Sequence, residues 1–179
     1  QMKAEMVTMR ALSYFYLVRA FKNIPYSTKV VNSDTEVEYF PQLPVLDVMD
    51  SLINDVESVA GQARNRFVDN QETKGMITNT AIYALLSDMY LWRASIRQGR
   101  SETDSTITQE MVVSDYQNCI LNSELSIAKL QEQFEKKIRE LKEEKFQILT
   151  KMTGLELVQF VNSRCKNHDM GKTSALLYQ

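Results

Sequence analysis

The residue types that could support chemistry lie mostly near the end of the chain. A phosphate-binding loop is suggested by Gly171, Lys172 and Thr173, which match the last positions of a loop whose backbone amides hold nucleotide phosphates. That loop also needs a glycine five positions earlier, so that the backbone can approach the phosphates, and Lys166 stands there instead. The sequence therefore favours an ordinary turn over a nucleotide site.

A metal or nucleophilic site would have to be built around His168, the single histidine of the chain. Cys165 has a spacing from it that a zinc ion can use, but a structural zinc site takes four ligands and no second pair accompanies these two. A Ser-His-Asp or Cys-His arrangement would depend on His168 alone. Glu36 and Glu38 are paired carboxylates in a loop, where such pairs are common. We therefore predict no catalytic residue, no metal ligand and no cofactor, and a protein that is not an enzyme.

Composition excludes several classes of protein. With 21 basic and 23 acidic side chains, the net charge of −2 offers no positive field for nucleic acid. Cys119 and Cys165 are too few for a disulfide framework, and the sequence leaves open whether they pair. No charge-free apolar run reaches the length that crosses a bilayer. No signal peptide is visible and the chain opens on Gln1, which predicts an internal piece of a longer protein.

Helices must position whatever site the chain carries, because apolar residues recur every three or four positions along most of it. Pro25 is predicted to end the first helix, Pro44 to begin the second and Gly99 to end the third. The predicted helices cover roughly residues 2–22, 45–63, 76–98 and 111 onward. Antiparallel helix pairs joined by long irregular loops predict an all-α, tetratricopeptide-like fold, with residues 1–179 as a single helical domain.

The segment from Ala4 to Tyr26, AEMVTMRALSYFYLVRAFKNIPY, is apolar almost all the way round a helix. A helix of that kind is normally buried on every side, so we expect neighbouring helices to wrap it. Arg10 and Arg19 lie inside the apolar run and either extend to its edges or find partners. The apolar residues are Met6, Met9, Leu12, Phe15, Tyr16, Val18 and Phe21.

Two further stretches admit both a binding and a packing interpretation. The run from Glu132 to Lys145 combines charges of both signs with apolar residues at helical spacing, as in a short coiled coil with a partner. Its seam is brief, so the solvated face of an amphipathic helix is favoured. Trp92 falls within a helical apolar pattern, which favours core packing over stacking on a sugar. Tyr39 and Phe40 lie in the long loop and are better placed to be exposed, although anchoring of the loop is the commoner role.

Three ordered segments of this sequence resemble the SusD/RagB family. The first is the opening helix, with an acidic residue, then Arg-Ala-Leu, several Tyr and Phe, and an Ile-Pro-Tyr turn. The family commonly has Gly after the last Phe of this helix, whereas Lys22 stands here. The second segment is PVLDVMDSLINDVES, residues 44–58, and the third is residues 74–94, in which Ala-Leu-Leu precedes Tyr-Leu. Asp115-Tyr116 then matches the start of the family's following helix.

The resemblance implies a surface-exposed lipoprotein of the outer membrane, from bacteria of the Bacteroidetes type. Such proteins bind a polysaccharide, an oligosaccharide or another nutrient without catalysis and cap a TonB-dependent (SusC-like) transporter. The family scaffold consists of tetratricopeptide-like helix pairs, and irregular loops form the ligand site. This chain, whose match is clearest over residues 4–120, is expected to be the scaffold part, with the lipid-bearing cysteine and export signal upstream. No ligand-binding residue of the family matches a position here, so the ligand-binding residues stay unknown.

A second hypothesis needs no carbohydrate. A stack of helix pairs also suits an adaptor that binds another protein or a peptide in a groove. The two hypotheses differ in what the parent gene encodes, since only the first requires an export signal and a lipid-bearing cysteine.

Overall fold

The computed structural model describes residues 1–30, 33, 39–65, 76–156 and 158–159. Its long helices are α1 (Met2–Phe21), α2 (Val45–Val59), α3 (Asn79–Arg100) and α4 (Gln109–Lys151). Two strands of two residues each, β1 (Ile24–Pro25) and β2 (Gln42–Leu43), pair antiparallel with Ile24 opposite Leu43. The prediction of an all-α fold with antiparallel helix pairs is confirmed, and the short strand pair is an element that the sequence did not predict.

The chain divides into two compact units, residues 1–133 and 134–179. The first unit holds α1, α2, α3 and the beginning of α4, and the second holds the remainder of α4. The interpretation of residues 1–179 as a single helical domain therefore stays a prediction. Within the part of the chain that the structure describes, no helix is both long enough and apolar enough to cross a bilayer.

Successive helices of the first unit run antiparallel, as their side-chain contacts show. Along each pair of helices, residue numbers rise on one helix while the numbers of their partners fall on the next. The contacts are Gln1 with Arg64, Arg10 with Asp55, Asp50 with Arg93, Glu57 with Tyr90, Arg93 with Asp115 and Thr80 with Ser126. Antiparallel order brings side chains that are far apart in sequence into direct contact, which is why the charged groups described below can meet.

The core of the first unit lies between α1, α2 and α3. The apolar residues of α2 that recur every three or four positions form a stripe along one side of the helix, and all of them are buried: Val45, Val48, Met49, Leu52, Ile53, Val56 and Val59. The largest fully buried side chains that α1 and α3 add to this core are Phe15, Ile82, Leu86 and Met89. Trp92 packs against the same cluster, in agreement with the packing interpretation of its helical pattern.

Local hydrogen bonds decide where α3 begins and where it ends. Thr78 caps α3, since its hydroxyl accepts a hydrogen bond from the amide of Ala81 at 3.4 Å, so this helix begins later than predicted. The prediction that Gly99 ends α3 is wrong, because the helix continues to Arg100. The Arg100 carbonyl then accepts hydrogen bonds from the amides of Thr103 and Asp104. Those turn bonds satisfy the last carbonyl without a glycine.

Lys22, at the end of α1, has a backbone φ of 65°, in the left-handed region that side chains with a Cβ avoid. Its amide still donates a hydrogen bond to the carbonyl of Val18, at 2.8 Å, so the position closes the helix. The SusD/RagB family, which this segment resembles, commonly has glycine at this position. Glycine adopts a positive φ without strain, which explains that preference.

Replacing Lys22 with glycine is therefore expected to raise the free energy of unfolding by about 0.5–1 kcal/mol, because the strain of the left-handed residue is removed. Urea unfolding followed by circular dichroism measures the change. Lys22→Ala is the matched control, since it removes the same side chain but keeps the Cβ. An equal gain from both variants would contradict the strain at Lys22.

Candidate functional site

Most residues that the sequence singled out for chemistry lie outside the described residues. They are Glu36, Glu38, Cys165, Lys166, His168, Gly171, Lys172 and Thr173. Cys119 is described and partly buried, with its sulfur 3.3 Å from the hydroxyl oxygen of Ser87. Across the described ranges, no three histidine, cysteine or acidic side chains come together in a way that could hold a metal ion.

A cluster of four charged side chains joins α2, α3 and α4, and we call it the Arg–Asp cluster: Asp50, Arg93, Arg97 and Asp115. Arg93 donates to Asp115 Oδ1 through Nη2 at 2.6 Å and to Asp50 Oδ1 through Nη1 at 2.6 Å. Arg97 donates to Asp115 Oδ2 at 2.8 Å and to Asp50 at 3.3 Å. Two guanidinium groups thus share two carboxylates, one from each neighbouring helix.

Burial decides what the Arg–Asp cluster can do. The Asp115 side chain is only 1% exposed, whereas that of Asp50 is 45% exposed. Burial alone would lower the pKa of Arg93, but hydrogen bonds and charge from Asp115 and Asp50 outweigh it, so the pKa is raised. Arg93 is held as a cation, and both arginines donate hydrogen bonds to the two carboxylates. The cluster therefore joins three helices and has no group poised for proton transfer or nucleophilic attack.

A second polar group fixes the chain where it leaves α1. Asp55 on α2 accepts hydrogen bonds from Arg10 at 2.6 Å and from the Tyr26 hydroxyl at 2.7 Å. The Tyr14 ring meets the Tyr26 ring edge-on, with centroids 4.9 Å apart, and its hydroxyl donates to the carbonyl of Ser27 at 3.1 Å. Arg10, which the sequence placed inside an apolar run, thus finds an acidic partner.

Two tyrosines have a pKa raised above the ordinary value near 10. Burial raises the pKa of Tyr26 and of Tyr90 because it disfavours the phenolate, and each hydroxyl also donates to a carboxylate. The acceptor is Asp55 for Tyr26 and Glu57 for Tyr90. A tyrosine whose pKa is raised in this way keeps its proton near neutral pH and is a poor acid or base there. This supports structural roles for Tyr26 and Tyr90.

Arg19 on α1 contacts two side chains of α3, Trp92 and Asp88. Its guanidinium carbon lies 5.3 Å from the centroid of the Phe15 ring and 5.0 Å from that of the Trp92 ring. It also contacts Asp88 at 3.4 Å, in an exposed ion pair. The cation beside Trp92 takes up space over the indole that a stacked sugar would need.

A large apolar surface of α1 faces away from α2 and α3, and we call it the α1 apolar face: Met2, Met6, Met9, Tyr16, Leu17 and Phe21. These side chains are 44–78% exposed. The expectation that neighbouring helices wrap α1 on every side is therefore wrong for the described chain. The opposite side of α1 carries small or buried residues that let α2 and α3 approach, namely Ala4, Thr8, Ala11, Phe15 and Val18.

Exposed apolar side chains grouped in this way are typical of surfaces that contact another protein, and this surface is the convex side of a helix rather than a pocket. Methionine adapts its shape to a partner, which suits such a surface. The α1 apolar face is therefore the candidate functional site of the first unit, and its chemistry is that of protein contact. The sequence pattern could not distinguish the α1 apolar face from a buried face, because exposed and buried apolar faces are made of the same residue types.

The second unit has an open groove lined by Glu140, Glu143, Glu144, Gln147 and Ile148. Three carboxylates line it, but they do not form a cluster that could hold a metal ion in the described part of the chain. Acidic side chains along an exposed helix are ordinary, so the groove does not define a site. Tyr39, which the sequence placed in an exposed loop, is 93% exposed, whereas Phe40 is half-buried.

Comparison with known proteins gives two partial matches. The chain is 27% identical over 101 residues to SusD-like protein P2 from Formosa agariphila, a match that covers 56% of this chain and 19% of that protein. A solved structure, a laminarin-binding SusD-like protein, is 30% identical with a TM-score of 0.46, over 55% of this chain and 21% of that one. This chain thus spans about a fifth of the length of each relative. No protein-family model matches it.

Proposed function

Since this chain is SusD-like, we propose that it is the scaffold part of a non-catalytic glycan-binding component of an outer-membrane uptake system. In this proposal the whole protein is a surface-exposed lipoprotein that captures a polysaccharide or oligosaccharide and delivers it to a TonB-dependent transporter. The observation that carries the proposal is the 101-residue match to a SusD-like protein, together with three family motifs in the family's order.

The described residues support the scaffold role in a specific way. The buried charges of the first unit are committed to pairs between helices, as with Arg93 and Asp115 at 2.6 Å. Side chains that are occupied in this way stabilise the helix pairs and carry no reaction. The α1 apolar face adds a surface for contact with further protein, which a component that works against a transporter requires.

Affinity gel electrophoresis of the gene product that contains this sequence tests the glycan proposal. We expect slower migration in a gel that contains the cognate polysaccharide, within a panel that includes laminarin, starch, mannan and xylan, than in a gel without polysaccharide. An unrelated protein of similar charge, run in the same lanes, controls for sieving. Unchanged migration across the whole panel would contradict glycan binding.

The transporter partnership has its own test. A tagged chromosomal copy, purified from detergent-solubilised outer membrane, is expected to carry a TonB-dependent transporter identified by mass spectrometry. A transporter gene directly beside the parent gene would agree with this result. Recovery of the tagged protein from the soluble fraction without a transporter would contradict it.

A second candidate function is a helical-repeat adaptor for protein without carbohydrate. The α1 apolar face favours it, because exposed methionine and aromatic side chains suit a partner helix. A parent gene without an export signal and a lipid-bearing cysteine, combined with no retardation by any glycan, would select this candidate over the first.

A further inference from the structure

The second unit carries an apolar stripe on α4 that is independent of the proposed uptake function. Phe134, Ile138, Leu141 and Ile148 are 67%, 51%, 50% and 61% exposed. With Lys145 included, the stripe advances by four, three, four and three residues, so its members lie along one side of the helix. We call these five residues the α4 seam. An alternation of three and four is the spacing at which two helices pack side by side.

We propose that the α4 seam pairs with the α4 seam of a second copy of this chain, in an antiparallel two-stranded coiled coil. In that arrangement Ile138 of each copy packs beside Leu141 of the other, so the two central layers are wholly aliphatic. Phe134 of each copy then faces Lys145 of the other. The lysine stem covers the ring while its ammonium group reaches solvent.

The charges beside the seam match the antiparallel arrangement. In this register Lys137 lies opposite Glu144 of the second copy, and Glu135 lies opposite Lys142 of the second copy. Twofold symmetry repeats both pairs, so four pairs of opposite charge flank the central layers. Such flanking pairs set partner choice and orientation in coiled coils. Lys137 already contacts Glu140 of its own helix at 3.7 Å, an exposed pair of little energy that does not hold it in place.

The same charges oppose a parallel pair. In a parallel coiled coil, the residue that precedes Ile138 on one helix lies beside the residue that follows Leu141 on the other helix. Lys137 would then face Lys142 of the second copy, twice in each dimer. The pattern thus selects one orientation by attraction and rejects the other by repulsion. The pattern also favours a second copy of this chain over an unrelated helix. When α4 is paired antiparallel with itself, each flanking charge meets a charge of opposite sign.

The size of the seam sets the expected affinity. A few layers of side chains bury less than a standard stable interface, so we expect a dissociation constant on the order of 100 µM. Sedimentation velocity of the 179-residue chain from about 10 to 500 µM should then show a shift from monomer to dimer around that dissociation constant. A chain that stays monomeric over this range overturns the proposal.

Lys137→Glu is the decisive single variant. It turns two attractive pairs of the antiparallel dimer into repulsive ones and should weaken dimerisation about tenfold or more. Lys136→Glu is the matched control, since it makes the same charge change on the side of α4 opposite the seam, and its dimerisation should be close to that of the unaltered chain. Circular dichroism of both variants checks that the helix content is equal. Equal dimerisation by both variants would overturn the proposal, as would tighter dimerisation by Lys137→Glu, which is the result that a parallel pair predicts.

Mixing two variants tests the pairing itself. Glu144→Lys alone should also weaken dimerisation, because it places a second ammonium group opposite Lys137. An equimolar mixture of Lys137→Glu and Glu144→Lys should associate more strongly than either variant alone, since both cross pairs then carry opposite charges. A mixture no stronger than its components would overturn the assigned register. Because neither variant changes α1, glycan retardation and transporter recovery by the whole protein should be unaffected.

Discussion

Replacing Asp115 with asparagine is expected to lower the free energy of unfolding by about 3–5 kcal/mol. The carboxylate is 1% exposed and accepts hydrogen bonds from Arg93 at 2.6 Å and from Arg97 at 2.8 Å. Asparagine keeps the shape but removes the charge, so two largely buried guanidinium groups would be left with the half-exposed Asp50 alone. A buried charge without compensation costs far more than the ion pair contributes. Urea unfolding followed by far-ultraviolet circular dichroism measures the loss.

Asp88→Asn provides the matched comparison for Asp115→Asn. The Asp88 side chain is 52% exposed and lies 3.4 Å from Arg19, whose own side chain is 40% exposed. Solvent screens such a pair, so the expected loss is below about 1 kcal/mol. If Asp115→Asn and Asp88→Asn lowered the free energy of unfolding equally, burial would not be the reason that Asp115 matters.

Replacing Phe15 with alanine is expected to cost about 3–5 kcal/mol of stability. Phe15 is 1% exposed and belongs to the core between α1, α2 and α3. Its removal leaves a cavity that these helices cannot fill, and it also removes one of the rings beside Arg19. The same unfolding assay applies.

Phe21→Ala is the control within the same helix. Phe21 is 70% exposed on the α1 apolar face, so the expected change is within about 0.5 kcal/mol. This pair of substitutions tests the burial of α1 directly, because it removes the same side chain from its two faces. A loss at Phe21 as large as that at Phe15 would mean that the α1 apolar face is covered.

The helices were largely predictable from sequence, and the reason is periodicity. The stripe on α2 indicated which side of that helix is buried, and every apolar residue of the stripe proved buried. Helix ends were less predictable. Gly99 suggested a stop that the chain passes by one residue, because the turn hydrogen bonds that close α3 are made to the Arg100 carbonyl. The resemblance to SusD-like proteins, which rested on motifs rather than periodicity, agrees with the 101-residue match to a SusD-like protein.

The charged groups that join the helices were beyond sequence reasoning. Arg93 and Asp115 are 22 residues apart, and Arg10 and Asp55 are 45 apart. Charged residues are common on helices, so nothing marks these pairs until the antiparallel order of the helices is known. The prediction that α1 is buried on every side was wrong for a related reason. A methionine or phenylalanine that packs in a core is the same in sequence as one that lies on an exposed face.

The sequence by itself therefore determined the helical class, the family resemblance and the lack of charge needed for nucleic acid, because each depends on local pattern or composition. Only the tertiary structure decided which side of α1 is buried, which arginines are paired and which apolar stripe of α4 stays exposed. These properties depend on contacts between residues far apart in the chain, and those contacts form only when the helices take their places. Burial is a property of neighbours, and local pattern does not say which neighbours a helix will have.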